Sequence, residues 1–325
     1  IPELREAIAQ YVSEFTGADV KPEEAMVTPS TKNAIYQAIT AFVDPGDEVI
    51  VPDPGFPAYE TIVRHAGGKP IFLPILEENR FRMTPEAVEE LVTEKTKMIV
   101  MNSPHNPTGG MNTRRDVEGI LEMAKEKGII VVSDEVYDHY VYEGGFHSAL
   151  SDPDWRDFIL YLNGVSKTYC MTGWRMGYIV ARREVIERLK NFAVNLYSCP
   201  PSFNQKGVLE ALTGPQGFFK DVLEEYRRRC EYITEALNSL PGVKALKPAG
   251  TFYIFPNVKE VLERTGLTTE QLAVRIMEEK GVVTLPGYPA FPAKAGDGHL
   301  RLSFTLPIEK MKEGVERIRE ALQRL

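Results

Sequence analysis

Lys167 and Arg175 are the residues whose type and setting first suggest chemistry in this chain. They stand in the stretch Asn163 to Tyr178, NGVSKTYCMTGWRMGY. The apolar run Phe158 to Leu162 reads as a buried strand, and Asn163-Gly164 breaks it. Lys167 follows among small or polar residues. Arg175 comes eight residues later, between Trp174 and Met176, and Gly177 leads into a second apolar run, Tyr178 to Ala181. A lysine held at the mouth of a strand beside an arginine suits an amine that anchors a carbonyl next to an anion site. Schiff-base chemistry needs that amine neutral, which partial desolvation or a neighbouring cation provides. The competing reading is a solvated loop lysine, the commoner fate of the residue type.

Other candidates lie far from this stretch. Asp134 ends the apolar run Ile129 to Val132 within Ser133-Asp134-Glu135. A carboxylate there is costly unless paired. A bound cation, a protonated ring nitrogen or the cap of a following helix would each serve. Tyr137 is three residues on, one helical turn, so the two side chains can face one site. The run Lys97 to Met101 ends in Asn102-Ser-Pro-His-Asn-Pro-Thr-Gly109. That loop, stiffened by two prolines, carries His105 and Asn106 beyond the C-terminal end of a strand, where open α/β sheets bind ligands. Ser30, Thr31 and Lys32 open a helix after the short strand Ala25 to Val27, which makes either an anion site or an ordinary N-cap. Phe56 and Tyr59 follow the strand Glu48 to Val51 in or just after the loop Pro52 to Pro57, and either stack on a flat ligand or pack. Arg301 interrupts the strand pattern Leu300-x-Leu302, where it either forks a carboxylate or faces outward from an edge.

The elements that must position these residues alternate. A helix begins at Pro2 and stops near Gly17. Strands at Ala25–Val27, Glu48–Val51, Pro70–Leu73, Lys97–Met101 and Ile129–Val132 are interleaved with helices at Ala34–Phe42, Glu86–Val92 and Arg115–Lys127. That pattern predicts a mostly parallel sheet covered by helices. Beyond Tyr178 the texture changes. Long helices at Arg182–Phe192 and Phe218–Asn238 precede short strands at Lys244–Leu246, Gly250–Phe255, Gly281–Leu285 and His299–Phe304. Helices at Thr269–Glu279 and Ile308–Leu325 accompany them. This reads as a smaller α+β domain of roughly a hundred residues, with the division placed at 1–230 and 231–325.

Bulk properties narrow the classes. At 325 residues, 43% hydrophobic and 26% charged, the chain is an ordinary globular one of two domains. A formal net charge of −8, without a basic block, argues against nucleic acid as a partner. No apolar run reaches the length of a membrane span and no signal peptide is visible. Three scattered cysteines suit a reducing cytoplasm and neither a disulfide framework nor a zinc site. Five histidines show no metal spacing. Neither Gly-x-Gly-x-x-Gly, nor a P-loop, nor Gly-x-Ser-x-Gly occurs, which disfavours dinucleotide, nucleoside triphosphate and α/β-hydrolase readings.

Taken together, three motifs resemble the class I/II aminotransferases, fold type I enzymes that use pyridoxal 5′-phosphate, and most nearly their prokaryotic aspartate aminotransferase branch. The motifs are Gly164-Val-Ser-Lys167 with Gly173 and Arg175, Asn106-Pro-Thr-Gly109, and Asp134-Glu-Val-Tyr137. The branch is suggested by Ile1-Pro-Glu-Leu-Arg5 and Tyr142-Glu-Gly144. The resemblance implies that Lys167 holds the cofactor as a Schiff base and moves the proton, and that Asp134 binds the pyridine nitrogen. It further implies that Asn106 and Tyr137 bond the ring's O3′, that Phe56 stacks on the ring, and that Ser30, Thr31, Lys32, Ser166 and Arg175 cradle the phosphate. Arg301, with Asn106, would hold the substrate α-carboxylate, a task for a planar fork. Lys32 would meet the distal carboxylate of aspartate or glutamate or else only add charge to the phosphate pocket.

The implied reaction is transamination between aspartate or glutamate and a 2-oxo acid such as 2-oxoglutarate, in a homodimer with shared active sites. The alternatives are a β-lyase acting on cysteine conjugates, an aminotransferase for aromatic or neutral amino acids, and a cofactor-binding regulator, for which no helix-turn-helix is visible. The chain departs from the family in three places. Gly164 stands where a hydroxyl is usual, so one phosphate contact is expected to be lost or moved to Ser166. Cys170 replaces a smaller residue. The family's N-terminal segment, with a tyrosine that reaches the neighbouring subunit's phosphate, would lie just before Ile1.

Overall fold

The computed structural model describes residues 1–325. Its centre is a seven-stranded sheet of β1 (Ala25–Thr28), β2 (Glu48–Asp53), β3 (Lys69–Pro74), β4 (Thr96–Asn102), β5 (Ile130–Asp134), β6 (Ile159–Gly164) and β7 (Gly177–Val180), in the order β1-β7-β6-β5-β4-β2-β3. The pairings of β2 with β3 and β4, β4 with β5, and β5 with β6 are parallel. Only β7 runs against its neighbours, with Thr28 opposite Gly177 and Gly164 opposite Gly177. The carboxyl ends of β1 and β6 therefore meet the amino end of β7 at one edge of the sheet.

Both faces of the sheet are covered, and the side-chain alternation shows it. Ile50, Ile99, Met101, Val131, Ile159 and Tyr161 point to one apolar core, shared with the helices Pro2–Thr16, Arg114–Lys127 and Ser202–Thr213. Val49, Val51, Met98, Val100, Val132, Leu160 and Leu162 point to the other, against the helices Thr31–Thr40, Ala58–His65 and Arg183–Leu196. Strands buried on both faces read as continuous apolar runs because successive residues serve opposite cores. Each such aliphatic side chain contributes roughly 1.5–3 kcal/mol on burial.

A second, three-stranded sheet of β8 (Tyr253–Ile254), β9 (Leu285–Pro286) and β10 (Leu300–Ser303) has the order β8-β10-β9. It is antiparallel and backed by Thr269–Lys280 and Ile308–Gln323 around a third core. The helix Phe218–Asn238 belongs to both regions. Phe219 and Val222 pack near Tyr137 and Tyr140, whereas Cys230, Ile233 and Leu237 lie in the third core. A division at 230/231 runs through the middle of this one helix.

Several expected elements differ. Lys244–Leu246 is not a strand and contributes one bridge, Lys244 to Asn257. The expected strands Gly250–Phe255 and Gly281–Leu285 shrink to the two-residue β8 and β9. The helices Ala58–His65 and Ser202–Thr213 were not expected, nor was the single turn Val165–Thr168 that carries Lys167. Asp134 and Tyr137 are joined by a turn rather than a helix. No helix is long and apolar enough to cross a membrane.

Candidate active site

One cleft of about 380 Å³ opens where the strand ends meet, and its walls come from both sheets. Ser30, Thr31 and Lys32 follow β1, Phe56 follows β2, Asn106 follows β4, and Asp134 and Tyr137 close β5. Ser166 and Lys167 follow β6, and Arg175 precedes β7. Arg301 arrives on β10, beside Tyr253 from β8. Every residue that the resemblance implies for the site lines this cleft, whereas His105 does not. The cleft also takes Tyr59, read from the sequence as an aromatic that either stacks on a ligand or packs, and Asn102, Thr172 and Tyr253, which carry no site expectation.

The anion end is built by close approach. The helix Thr31–Thr40 begins with N–H groups that have no partner inside the helix. Its N-cap Ser30 sits at φ 93°, a conformation that costs a non-glycine residue roughly 1–3 kcal/mol. The surroundings enforce it. Thr31 Oγ1 donates to Asn163 O at 3.2 Å, tying the helix start to the end of β6. A Cβ on Gly164 would lie 2.6 Å from Thr31 Oγ1 and 2.9 Å from Met176 O, and one on Gly177 would strike the Thr31 amide nitrogen. Gly164 is thus where any side chain is shut out, and the hydroxyl at this point of the cleft is Thr31's own. Thr31 is among the residues that the resemblance implies for the phosphate, beside Ser166. Arg175 is exposed, has φ 54° and donates Nη1 to Thr172 O at 2.7 Å.

The deep end is organised around Asp134, which is 3% exposed. Tyr59 donates its hydroxyl to Asp134 Oδ2 at 2.7 Å, the Val136 N–H lies 3.4 Å from Oδ1, and Asn102 Nδ2 donates to the Asp134 carbonyl at 2.9 Å. Burial pushes the Asp134 carboxyl up to about 6, against the lowering effects of Tyr59, the Val136 N–H and the Lys167 charge. These partners do not make up the loss of water, so the carboxylate is an under-compensated anion. Lys167 is half-buried, with Nζ 5.8 Å from the Tyr137 ring centre and 5.7 Å from that of Phe252. Tyr140 donates its hydroxyl to the Lys167 carbonyl at 3.0 Å. The Tyr137 and Tyr253 hydroxyls are 3.4 Å apart.

Two cations guard the outer wall. Arg301 donates Nη1 to Asn106 Oδ1 at 2.9 Å and lies over the rings of Tyr253 and Phe291, at 4.3 and 5.4 Å. The stacking orients the guanidinium plane. Lys32 is exposed, with Nζ 5.4 Å from the Phe56 ring centre, and Phe56 meets Tyr59 edge-on. His105, the neighbour of Asn106, is not in the cleft. It is 2% exposed, bonded through Nδ1 to Thr108 Oγ1 at 2.8 Å, and burial drives its pKa down to about 3. It braces the loop as a neutral ring. Cys170 is exposed and lies outside the cleft wall.

The sequence model of the family described as "Aminotransferase class I and II" matches residues 1–318. The aspartate aminotransferase of Sulfolobus acidocaldarius is 40% identical over 100% of this chain and 81% of its own length. An aromatic aminotransferase structure from Pyrococcus horikoshii superposes with a TM-score of 0.94 at 36% identity, over 100% of this chain and 86% of the other. The aspartate aminotransferase of Thermus thermophilus with maleate gives 0.91 at 36% identity, over 99% of this chain and 82% of the other.

Proposed function

The chain belongs to the class I and II aminotransferases, which depend on pyridoxal 5′-phosphate, and from that premise we propose that it moves an amino group between aspartate or glutamate and a 2-oxo acid such as 2-oxoglutarate. The observation that carries the reading is the meeting of Lys167, the buried Asp134 and Arg301 in one cleft.

The residues present fit the cofactor. An under-compensated buried carboxylate at Asp134 suits a protonated ring nitrogen. A helix start with hydroxyls, pressed against two glycines that exclude side chains, suits a phosphate. When bound, the cofactor supplies an aldehyde that condenses with amines and a ring that draws electrons from the substrate's Cα. Lys167 holds it and afterwards takes and returns the proton at Cα. Asp134 keeps the ring nitrogen charged, and Tyr59 keeps Asp134 ionised. Asn106 and Tyr137 would bond the ring oxygen, and Phe56 would cover one face. Ser30, Thr31, Ser166 and Arg175 would hold the phosphate. Arg301 binds the substrate α-carboxylate, already oriented by Asn106. Lys32 meets the distal carboxylate; the Thermus relative carries a dicarboxylate, maleate, which supports this role.

The active unit is a homodimer. Phe203 is 75% exposed, and Trp174, Val194 and Leu196 are also exposed, apolar surface of the kind a second copy covers. The three free cysteines support a cytoplasmic setting.

The test is a panel of amino donors with 2-oxoglutarate, run on wild-type protein and Lys32→Ala. Acidic donors should dominate, and Lys32→Ala should lose roughly tenfold or more in kcat/KM for them alone, the worth of one hydrogen bond to a charged group. Equal loss for aromatic donors refutes the role of Lys32. Pyruvate released from cysteine conjugates without a keto acid would make the protein a β-lyase.

A further inference from the structure

Behind the anion end of the cleft, a buried polar chain reaches the lysine segment from the turn that follows β5. Asp138 is almost wholly buried, with its side chain 1% exposed. Its Oδ2 accepts from Asn163 Nδ2 at 2.7 Å, and Oδ1 accepts from His139 Nδ1, also at 2.7 Å. Asn163 is 2% exposed. Its amide also reaches the Glu135 carbonyl and the Tyr161 hydroxyl, while its Oδ1 accepts the Gly164 N–H at 2.7 Å. The Asn163 carbonyl in turn accepts from Thr31 Oγ1. Neither Asp138 nor Asn163 lines the cleft, yet they set the peptide from which Gly164, Ser166 and Lys167 follow.

We propose that Asp138 is a positioning residue that holds the Asn163 amide in one orientation and so sets the anion cup and the Lys167 segment against Asp134. The inference rests on the reading of Lys167 as the cofactor's anchor. An amide side chain has a donor end and an acceptor end, and the two are close in shape. The Gly164 N–H can only donate and the Glu135 carbonyl can only accept, and the Asp138 carboxylate adds a shorter acceptor contact that holds Nδ2 on its side. With Asp138 and the Glu135 carbonyl holding Nδ2, Oδ1 faces the Gly164 N–H, which orients that peptide where no Cβ fits. The same turn acts twice. Asp138 grips the residue before Gly164, and Tyr140 donates to the Lys167 carbonyl. Asp134 begins this turn, so the turn carries the ring partner and spaces the lysine from it. A buried network of this kind specifies geometry when every member is satisfied and disturbs it when one is not.

Apoenzyme is titrated with pyridoxal 5′-phosphate, followed by absorbance, and the melting temperature is measured with and without the cofactor. Asp138→Asn replaces the carboxylate that accepts from Nδ2 with an amide, so the hold on Asn163 weakens to what the Gly164 N–H and the Glu135 carbonyl supply. Cofactor binding should weaken about tenfold, with KM for the amino donor within about threefold of wild type. Asp138→Glu keeps a carboxylate that can only accept, so most of the affinity should return. Lys167→Ala is the control. If wild-type protein shows no absorbance band that depends on Lys167, the functional reading itself fails. If the band is present and Asp138→Asn binds the cofactor as wild type does, only this inference fails. A lowered melting temperature with unchanged affinity also overturns it, since that is a structural brace and nothing more. Should Asp138→Asn give too little folded protein, Asp138→Ser, shorter and no longer able only to accept, takes its place. Affinity weakened more than about threefold supports the proposal, and affinity within about threefold of wild type refutes it.

Discussion

Asp134→Asn should make the empty protein less sensitive to alkaline pH while removing its catalytic use. The Asp134 carboxyl sits near 6 instead of its ordinary 3.8 because burial disfavours the charge. A carboxyl raised in the folded state contributes stability below its unfolded value and loses it as pH rises through the folded one. At 1.36 kcal/mol per pH unit, the gap between 3.8 and about 6 amounts to about 3 kcal/mol. The group is 3% exposed, so solvent screening takes little from this. About 2 kcal/mol of it falls between about pH 4.5 and 8 by the same linkage. The apoenzymes of wild type and Asp134→Asn are unfolded in urea across that range. The difference in stability between them should move by about 2 kcal/mol in the variant's favour as pH rises. An amide placed against the Val136 N–H adds a constant penalty, and titrations common to both, Glu135 included, cancel. Parallel stability curves would show that Asp134 is not an under-compensated charge. The argument for a cationic partner at that point would then collapse. With cofactor present, wild type should lose the slope, because the ring nitrogen supplies the missing cation.

Gly164→Ser should cost about 1–3 kcal/mol of stability, the usual penalty for overpacking, and weaken cofactor binding, although it restores a hydroxyl to the motif. Thermal melts and cofactor titration check both. Arg301→Lys should raise KM for the amino donor by roughly tenfold or more, because a point charge replaces a fork held by Asn106 and two rings; an unchanged KM would remove Arg301 from substrate binding. Tyr59→Phe removes the hydrogen bond to a charged acceptor, worth roughly 1.5–3 kcal/mol, so the Asp134 carboxyl should rise by about one to two pH units. In the apoenzyme the pH range over which stability falls would extend upward by the same amount, and an unmoved stability curve would refute the coupling.

Much of the site was legible because each strand of the large sheet announces its end. Breaker residues after apolar runs located Asn106, Asp134 and Lys167, and parallel topology brings such ends together. Contacts across the sheet were not legible. Nothing local marks Tyr59 as the donor to Asp134, since the two are joined only through the neighbouring strands β2, β4 and β5. Tyr253 sits on a strand of two residues, too short to show alternation. The turn Val165–Thr168 is too short for a helical period, and exposed Phe203 blurs the pattern of Ser202–Thr213. At Gly164 the sequence showed a missing hydroxyl, whereas the structure shows a missing volume.

The antiparallel β7 has a further meaning for how the chain acquires its site. Ala25 pairs with Val180 and Thr28 with Gly177, the widest separation joined anywhere in the large sheet. Closing so long a loop is entropically slow, and pairings of this kind delay folding. During synthesis β1 emerges early and stays unpaired until the segment after Arg175 has followed it. The two halves of the anion cup, one after β1 and the other before β7, do not exist as a binding site until then. The cofactor is therefore a late ligand that seals a completed sheet, and it cannot template the early one.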